Sequence, residues 1–157
     1  MIRLALGASI ALVIAGYAGL AVRWTSAGSV WANALPRPSW QPPDVVFGVI
    51  WPLNFLALAV AGTAVALVAP VAGGARWLVV FAASVACALG WARSFYLDHA
   101  VLRAAVLLIA AAALTWALVA VTAGLVAWAA WVLVPYAVWL TVASSLAVGY
   151  WRLNDSR

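Results

Sequence analysis

Apolar residues run through this chain in long blocks, and the breaks between blocks are short and few. The blocks lack the alternation of apolar and polar positions that a membrane strand carries. Several reach the roughly 20 residues an α-helix needs to cross a bilayer. The pattern predicts an all-α, polytopic membrane protein: one domain over 1–157, a bundle of five transmembrane helices. The predicted spans are roughly 4–22, 45–68, 77–96, 101–121 and 125–150. Residues 1–28 imitate a signal peptide, but their apolar stretch exceeds the usual h-region of about 7–15 residues, so they read as the first span. Pro42, Pro43 and Asp44 open the second span, and Pro70 with Gly73 and Gly74 closes it. Proline is tolerated at a helix start, where its missing N–H is not needed. The turns after spans two, three and four are short, which predicts that consecutive helices lie side by side, antiparallel.

Only the connector after the first span is long. A long loop in a compact domain is usually functional or disordered. Trp31 to Trp51 reads WANALPRPSWQPPDVVFGVIW, dense in tryptophan and proline, and predicts an ordered lid over 24–44.

Composition sharpens this picture. The chain is 69% hydrophobic and 7% charged, against roughly 25% charged for soluble domains. The net charge of +5 does not point to nucleic acid, because the eight arginines are scattered at the ends of apolar blocks. Arginines there snorkel to lipid headgroups and set topology. Arg3 and Arg76 fall on one side; Arg23, Arg37, Arg93, Arg103, Arg152 and Arg157 fall on or near the other. The positive-inside rule then puts the connector and the C-terminus in the cytoplasm and the N-terminus outside, in a bacterial inner (plasma) membrane. Membrane lipids are the surrounding partner. Ala57/Ala61, Ala82/Ala86 and Ala86/Gly90 are small-xxx-small pairs, which serve either packing within the bundle or a homodimer seam.

The chain is poor in catalytic side chains. It has no lysine or glutamate and a single histidine, His99, beside Asp98 in a turn. A metal site needs three or four ligands at suitable spacing, and none is predicted. No Ser-His-Asp pattern stands out. Cys87, alone in an apolar block, reads as a buried inert thiol. No obligatory cofactor and no catalytic residue is expected.

Tryptophan is what the chain has in quantity, eleven in all. Trp24, Trp77, Trp128 and Trp151 fit an interfacial aromatic belt. Trp51 and Trp139 lie deeper, and either pack in the core or floor a ligand pocket. Trp51, Asn54, Phe55 and Leu58 share a face of span two. Trp128, Pro135, Trp139, Val142, Leu146 and Tyr150 fall on one stripe of span five. Asn54, polar at membrane depth, needs a partner or a cavity. Arg93 either snorkels and pairs with Asp98, or faces a cavity as an anion-binding guanidinium.

These residues resemble the TspO/MBR family, the translocator or tryptophan-rich sensory proteins, also called peripheral benzodiazepine receptors. LPRPSWQPPDVVFGVIW (Leu35 to Trp51) is similar to that family's L-x-K-P-x-W-x-P-P-x-x-x-F-x-x-x-W, with Arg37 in place of the lysine. VPYAVWLTVASSLAVGYWRLN (Val134 to Asn154) resembles its P-Y-x-x-W-x-x-x-A-x-x-L-N-x-x-x-W-R-x-N. The resemblance implies a five-helix bundle, commonly dimeric, that binds a porphyrin, haem or another amphipathic molecule between its helices. It implies pocket tryptophans at Trp51 and Trp139, loop tryptophans at Trp31 and Trp40, and a small pocket residue at Ala143. Asn54, Phe55, Trp91, Arg93 and Phe95 complete the expected ligand-binding set, with Arg93 or Arg37 to neutralise the propionates of a tetrapyrrole. Val148, Tyr150 and Arg152 satisfy a loose cholesterol-contact pattern. The resemblance leaves open a receptor, a transporter, or light-dependent porphyrin breakdown resting on the two pocket tryptophans. The chain departs from the family at Ala88 and Ala147, where asparagines are usual, and at Arg93, where proline is usual. The altered pocket leaves a lipid or small anion as the alternative ligand.

Overall fold

The computed structural model describes residues 1–154; Arg157, counted above among the arginines of the C-terminal side, lies outside the described residues. Five long helices are present: α1 (Ile2–Ala27), α3 (Asp44–Val68), α4 (Val71–Tyr96), α5 (Val101–Leu125) and α6 (Ala127–Asn154). Each has 25 to 28 residues and is apolar enough to cross a membrane. At about 1.5 Å rise per residue, each exceeds the roughly 30 Å hydrocarbon core by several residues. A sixth helix, α2 (Ser29–Ala34), is a short segment inside the connector.

The predicted spans are all present, with three differences of detail. The connector contains α2, too short and too weakly patterned to stand out in the sequence. Pro70 caps α4, which starts at Val71, so Gly73 and Gly74 lie in its first turn and do not precede it. They are tolerated there because neighbours use the space: a Cβ at Gly73 would lie 2.6 Å from Leu125 Cδ2, and one at Gly74 2.4 Å from Leu6 Cδ2. Asp44 is the first residue of α3, and its carboxylate makes no capping hydrogen bond.

Going round the bundle, the order is α1, α3, α6, α5, α4 and back to α1. The expectation that consecutive helices are neighbours holds for α4 with α5 and α5 with α6, and fails for α3 with α4. Two residues, Ala69 and Pro70, join α3 to α4, yet α1 packs against both and keeps them apart over most of their length. Gly62 of α3 permits this: a Cβ there would fall 2.6 Å from Ile10 Cγ2 of α1 and 3.3 Å from Trp77 Cη2 of α4. Small residues replace bulk at such crossings because hydrocarbon gives helices no hydrophobic drive to associate, and close packing must supply the attraction.

The half of the bundle away from the connector is solid. Leu58, Val65, Trp77, Phe81, Leu118 and Leu133 are fully buried there. Trp77 is a core residue and not part of an interfacial belt: it is 0% exposed and its indole N–H donates to Thr122 Oγ1 at 2.8 Å. The Thr122 hydroxyl in turn donates to Leu118 O at 2.6 Å. Ser84 and Thr115 pair at 2.7 Å between α4 and α5. Trp128 and Trp131 are exposed on α6, as belt residues are. Cys87 is only partly buried. Replacing Thr122 by valine keeps the shape and strands the Trp77 N–H. We expect Thr122→Val to lower stability by about 1 kcal/mol, read as a lower thermal midpoint in detergent. Thr63→Val, at an exposed position, is expected to leave that midpoint unchanged.

Candidate functional site: an aromatic cavity under the connector

The connector half of the bundle encloses a cavity of ≈ 400 Å³. Ligand pockets usually run from about 300 to 1,000 Å³. Its walls come from the later part of α1 (Tyr17, Ala21, Thr25), the start of α3 (Phe47, Trp51, Phe55), the end of α4 (Ala88, Trp91, Phe95, Tyr96) and the later half of α6 (Trp139, Ala143, Leu146, Ala147, Tyr150). The α2 helix and connector contribute Ser29, Asn33, Arg37 and Gln41. No α5 residue takes part; α5 supports α4 and α6 from outside.

Rings interlock around the cavity, from the floor to the connector end. Tyr17 meets Phe55 edge-on at 5.2 Å and Trp51 edge-on at 6.2 Å. Phe47 meets Trp139 at 5.3 Å, and Phe95 meets Tyr150 at 5.3 Å, both edge-to-face. Such pairs add about 0.5–1.5 kcal/mol beyond the area they bury. They also fix ring planes, so flat apolar faces stand ready around a space that no side chain fills. Behind the floor the Tyr136 hydroxyl donates to that of Tyr17 at 3.3 Å, tying α6 to α1.

Polarity is concentrated at the connector end. Arg37 donates from Nη2 to Asn33 Oδ1 at 2.9 Å and from Nη1 to Asp44 Oδ1 at 3.4 Å. Pro38 biases the backbone of Arg37 before it to extended conformations, and the two side-chain contacts hold the guanidinium over the mouth. The Tyr150 hydroxyl donates to Gln41 Oε1 at 2.6 Å. Two buried donors lack an acceptor: Trp139 Nε1, on the cavity wall, and Asn54 Nδ2. Such groups are costly and rare, and those in native structures call for a reason.

The connector is fastened at several points. At the α1–α2 corner, Gly28 lies so close to α4 that a Cβ would be 2.2 Å from the Tyr96 carbonyl oxygen. Trp31 stacks on His99, centroids 4.0 Å apart and planes 14° apart, and meets Phe95 edge-on at 5.4 Å. His99 holds φ 54, a left-handed turn conformation that histidine tolerates better than most residues. Asn154 donates to Pro36 O at 3.4 Å. A Cβ at Gly149 would meet Pro38 and Trp40 at 2.8 Å each, so glycine lets the proline-rich strap lie flat on α6.

The sequence-predicted site residues divide accordingly. Trp51, Phe55, Trp91, Phe95, Trp139, Ala143 and Tyr150 line one cavity. Asn54 is buried beside it on α3 and does not line it. Trp31 serves as a clasp between α2 and the α4–α5 turn. Trp40 is half exposed and borders an outward groove with Ser144, Val148 and Arg152. The cholesterol-type pattern is thereby split: Val148 and Arg152 face the outer groove while Tyr150 faces the inner cavity. Arg93 does not line the cavity. Its side chain is 61% exposed and lies 3.8 Å from Asp98, which also accepts a hydrogen bond from Arg103. Of its two readings, pairing with Asp98 is the one the structure displays. The cavity stripe of α6 is Trp139, Ala143, Leu146, Ala147 and Tyr150; Trp128 and Val142, placed on that stripe by simple periodicity, are exposed. Of the two arginines that could neutralise a ligand's acid groups, Arg93 and Arg37, the cavity has Arg37; Gln41, Asn33 and Tyr17 line it without any mark in the sequence pattern. Ala88 and Ala147 do line the cavity, so the two missing asparagines leave apolar wall behind.

A bundle of five spanning helices that holds an aromatic cavity beneath a tryptophan- and proline-rich strap defines a class of integral membrane protein. The chain belongs to the TspO/MBR family, which it matches over residues 8–152. It is 31% identical over 133 residues to Protein CrtK of Rhodobacter capsulatus, covering 79% of this chain and 78% of that one. It is 31% identical over 134 residues to the tryptophan-rich protein TspO of Chlorobaculum tepidum, covering 78% of each. A tryptophan-rich sensory protein of Cereibacter sphaeroides matches at 31% over 131 residues, covering 81% of this chain and 78% of that one.

The fastening of the connector is testable at Gly28. Tyr96 O belongs to a helix backbone and cannot step aside for a methyl group. Gly28→Ala is expected to raise hydrogen exchange of the 29–41 amides about tenfold, the factor matching a loss of about 1.4 kcal/mol in local stability. Gly16→Ala, where nothing lies within 4 Å, is expected to leave them unchanged.

Proposed function

We propose that this protein is a membrane receptor or sensor that binds a tetrapyrrole, or a related flat amphipath, in the cavity beneath the connector. The observation that carries this reading is the meeting of Trp51 of α3 and Trp139 of α6 on one unfilled aromatic space. Aromatic walls favour a flat conjugated ring, since stacked and edge-on contacts both exploit the ring quadrupole. Polar groups at the mouth fit a ligand whose own polar groups lie at its edge. The same reading places the protein in a bacterial plasma membrane with the connector and C-terminus in the cytoplasm. Arg23, Arg37, Arg93, Arg103 and Arg152 support this at one end of the bundle, against Arg3 and Arg76 at the other.

The test is titration of the detergent-purified protein with protoporphyrin IX in the dark, following the shift of the porphyrin's own absorption band. Saturable binding is expected, about tenfold weaker in the Trp51→Phe/Trp139→Phe double variant, because each smaller ring gives up roughly 0.5–1.5 kcal/mol of aromatic contact. Trp131→Phe, at an exposed position of α6 outside the cavity, is expected to bind like the parent. Equal affinity in the parent and the double variant would overturn the reading.

A further inference from the structure

We infer that Arg37 is an exchangeable carboxylate receptor and that the cavity selects ligands bearing one carboxylate over those bearing two or none. This rests on the reading of the cavity as an amphipath site, and it concerns the head of the ligand, which the aromatic walls do not specify.

Charge at the mouth is the starting point. Among the described residues that line the cavity, Arg37 is the single cation and Asp44 the single anion. They already touch, but poorly: one contact of 3.4 Å, with side chains 39% and 78% exposed. Exposed pairs of this kind contribute little, with a median of about 0–1 kcal/mol. A guanidinium bonds a carboxylate best through two parallel N–H···O contacts, and Asp44 supplies one long contact. A ligand carboxylate that takes Nη1 from Asp44 and Nη2 from Asn33 would make that pair of contacts. Asp44 is not stranded when displaced. It is mostly solvent-exposed and sits in the first turn of α3, where the helix dipole favours a negative charge.

Shape adds direction. From Asp44 at the mouth to Phe55 at the floor, α3 rises about 16 Å. Arg37, Asn33 and Gln41 lie at the mouth, whereas Tyr17, Trp51 and Phe55 close the other end. With Ala88 and Ala147 on the walls, depth offers no further charged partner. A ligand therefore enters body first and leaves its acid group at the connector. The mouth holds one carboxylate on Arg37. A second would lie beside Asp44, which has no other cation in the cavity to offset it, and like charges at close range repel. Arg93, Arg103 and Asp98 form their own cluster at the α4–α5 turn and do not enter this balance.

A single ring in three charge states tests the inference: protoporphyrin IX as its diacid, monomethyl ester and dimethyl ester, titrated at neutral pH and low salt. In the parent protein the monoester is expected to bind about tenfold tighter than the diester, the gain of a charge-assisted hydrogen bond, with the diacid between them. Arg37→Gln is expected to bring monoester and diester to equal affinity. Asp44→Asn is expected to act in the opposite sense, tightening the monoester several-fold and the diacid more, since the competing and repelling charge is gone. A variant that merely misfolds the connector would weaken all three compounds, and would not produce the gain expected of Asp44→Asn. Equal binding of monoester and diester by the parent, or an Asp44→Asn variant that binds acids no better, would overturn the inference. If either result came with aromatic binding still lost in the Trp51→Phe/Trp139→Phe variant, the cavity reading would stand and only the carboxylate selection would fall.

Discussion

Inside hydrocarbon a polar group has no water to bond to, and the organisation of this protein follows from that constraint. Helices satisfy their own backbone. The hydroxyls within them bond back to the preceding turn: Thr115 to Ala111, Thr122 to Leu118, Thr141 to Ala137 and Ser144 to Leu140. Trp77 and Ser84 find partners across helices. Against this near-complete pairing, the two orphaned donors within the spans, Trp139 Nε1 and Asn54 Nδ2, stand out. Both belong to helices that wall the cavity, and one belongs to a residue of the wall itself.

The hollow exists because the two halves of the bundle solve different problems. Away from the connector, α1 inserts between α3 and α4, and the missing side chains of Gly62 and Gly74 let it close tightly. Towards the connector the same helices carry large rings that prop one another apart: Tyr17 against Trp51 and Phe55, Phe47 against Trp139, Phe95 against Tyr150. Rings held by edge contacts to their neighbours cannot also collapse into the middle. The connector then needs to be rigid, because a loose strap would let lipid or water into an apolar chamber. Proline, glycine and the Trp31–His99 stack supply that rigidity without placing charge at depth.

Much of this was legible in the sequence for a physical reason. Spans are dictated by unbroken hydrophobicity, which a one-dimensional reading detects directly. The proline- and tryptophan-rich connector marks itself by composition; the family motifs point to Trp51, Trp139 and Ala143, and helical periodicity adds Phe55 to the face of Trp51. What was not legible depended on which helices touch. A two-residue link between α3 and α4 implies adjacency along the chain, but packing inserted α1 between them. Trp77 looked interfacial because it falls near the predicted start of a span; in fact α4 begins earlier, and the ring points into the core. Sequence alone leaves Arg93 and Arg37 as equal candidates for a ligand's acid group, because the choice depends on which way each side chain turns; Arg37 lines the cavity and Arg93 pairs with Asp98. The α6 stripe was read with the right period, but periodicity alone cannot tell which edge of a stripe meets neighbours. Val142 faces out and Ala147 faces in.

Ala88 and Ala147 now have a structural meaning. Each lies on the cavity wall at a position where the family usually carries asparagine, and alanine removes both a donor and an acceptor from depth. A wall with side-chain amides at depth discriminates among ligands by hydrogen bonding to their interiors, because an amide left unpaired in a dry site costs free energy. A wall without them discriminates by shape and aromatic contact, which tolerate chemical variety among flat rings of similar size. Specificity then moves to the mouth, the one place where this cavity retains charge. The mouth is also where the connector is held, since Arg37 bonds to Asn33 of α2 and to Asp44 of α3 at the same time. A ligand group that engages Arg37 therefore acts on the contacts that join the strap to the bundle. On the proposed reading, the three side chains that would meet the ligand's acid group are the ones that join the connector to α2 and α3.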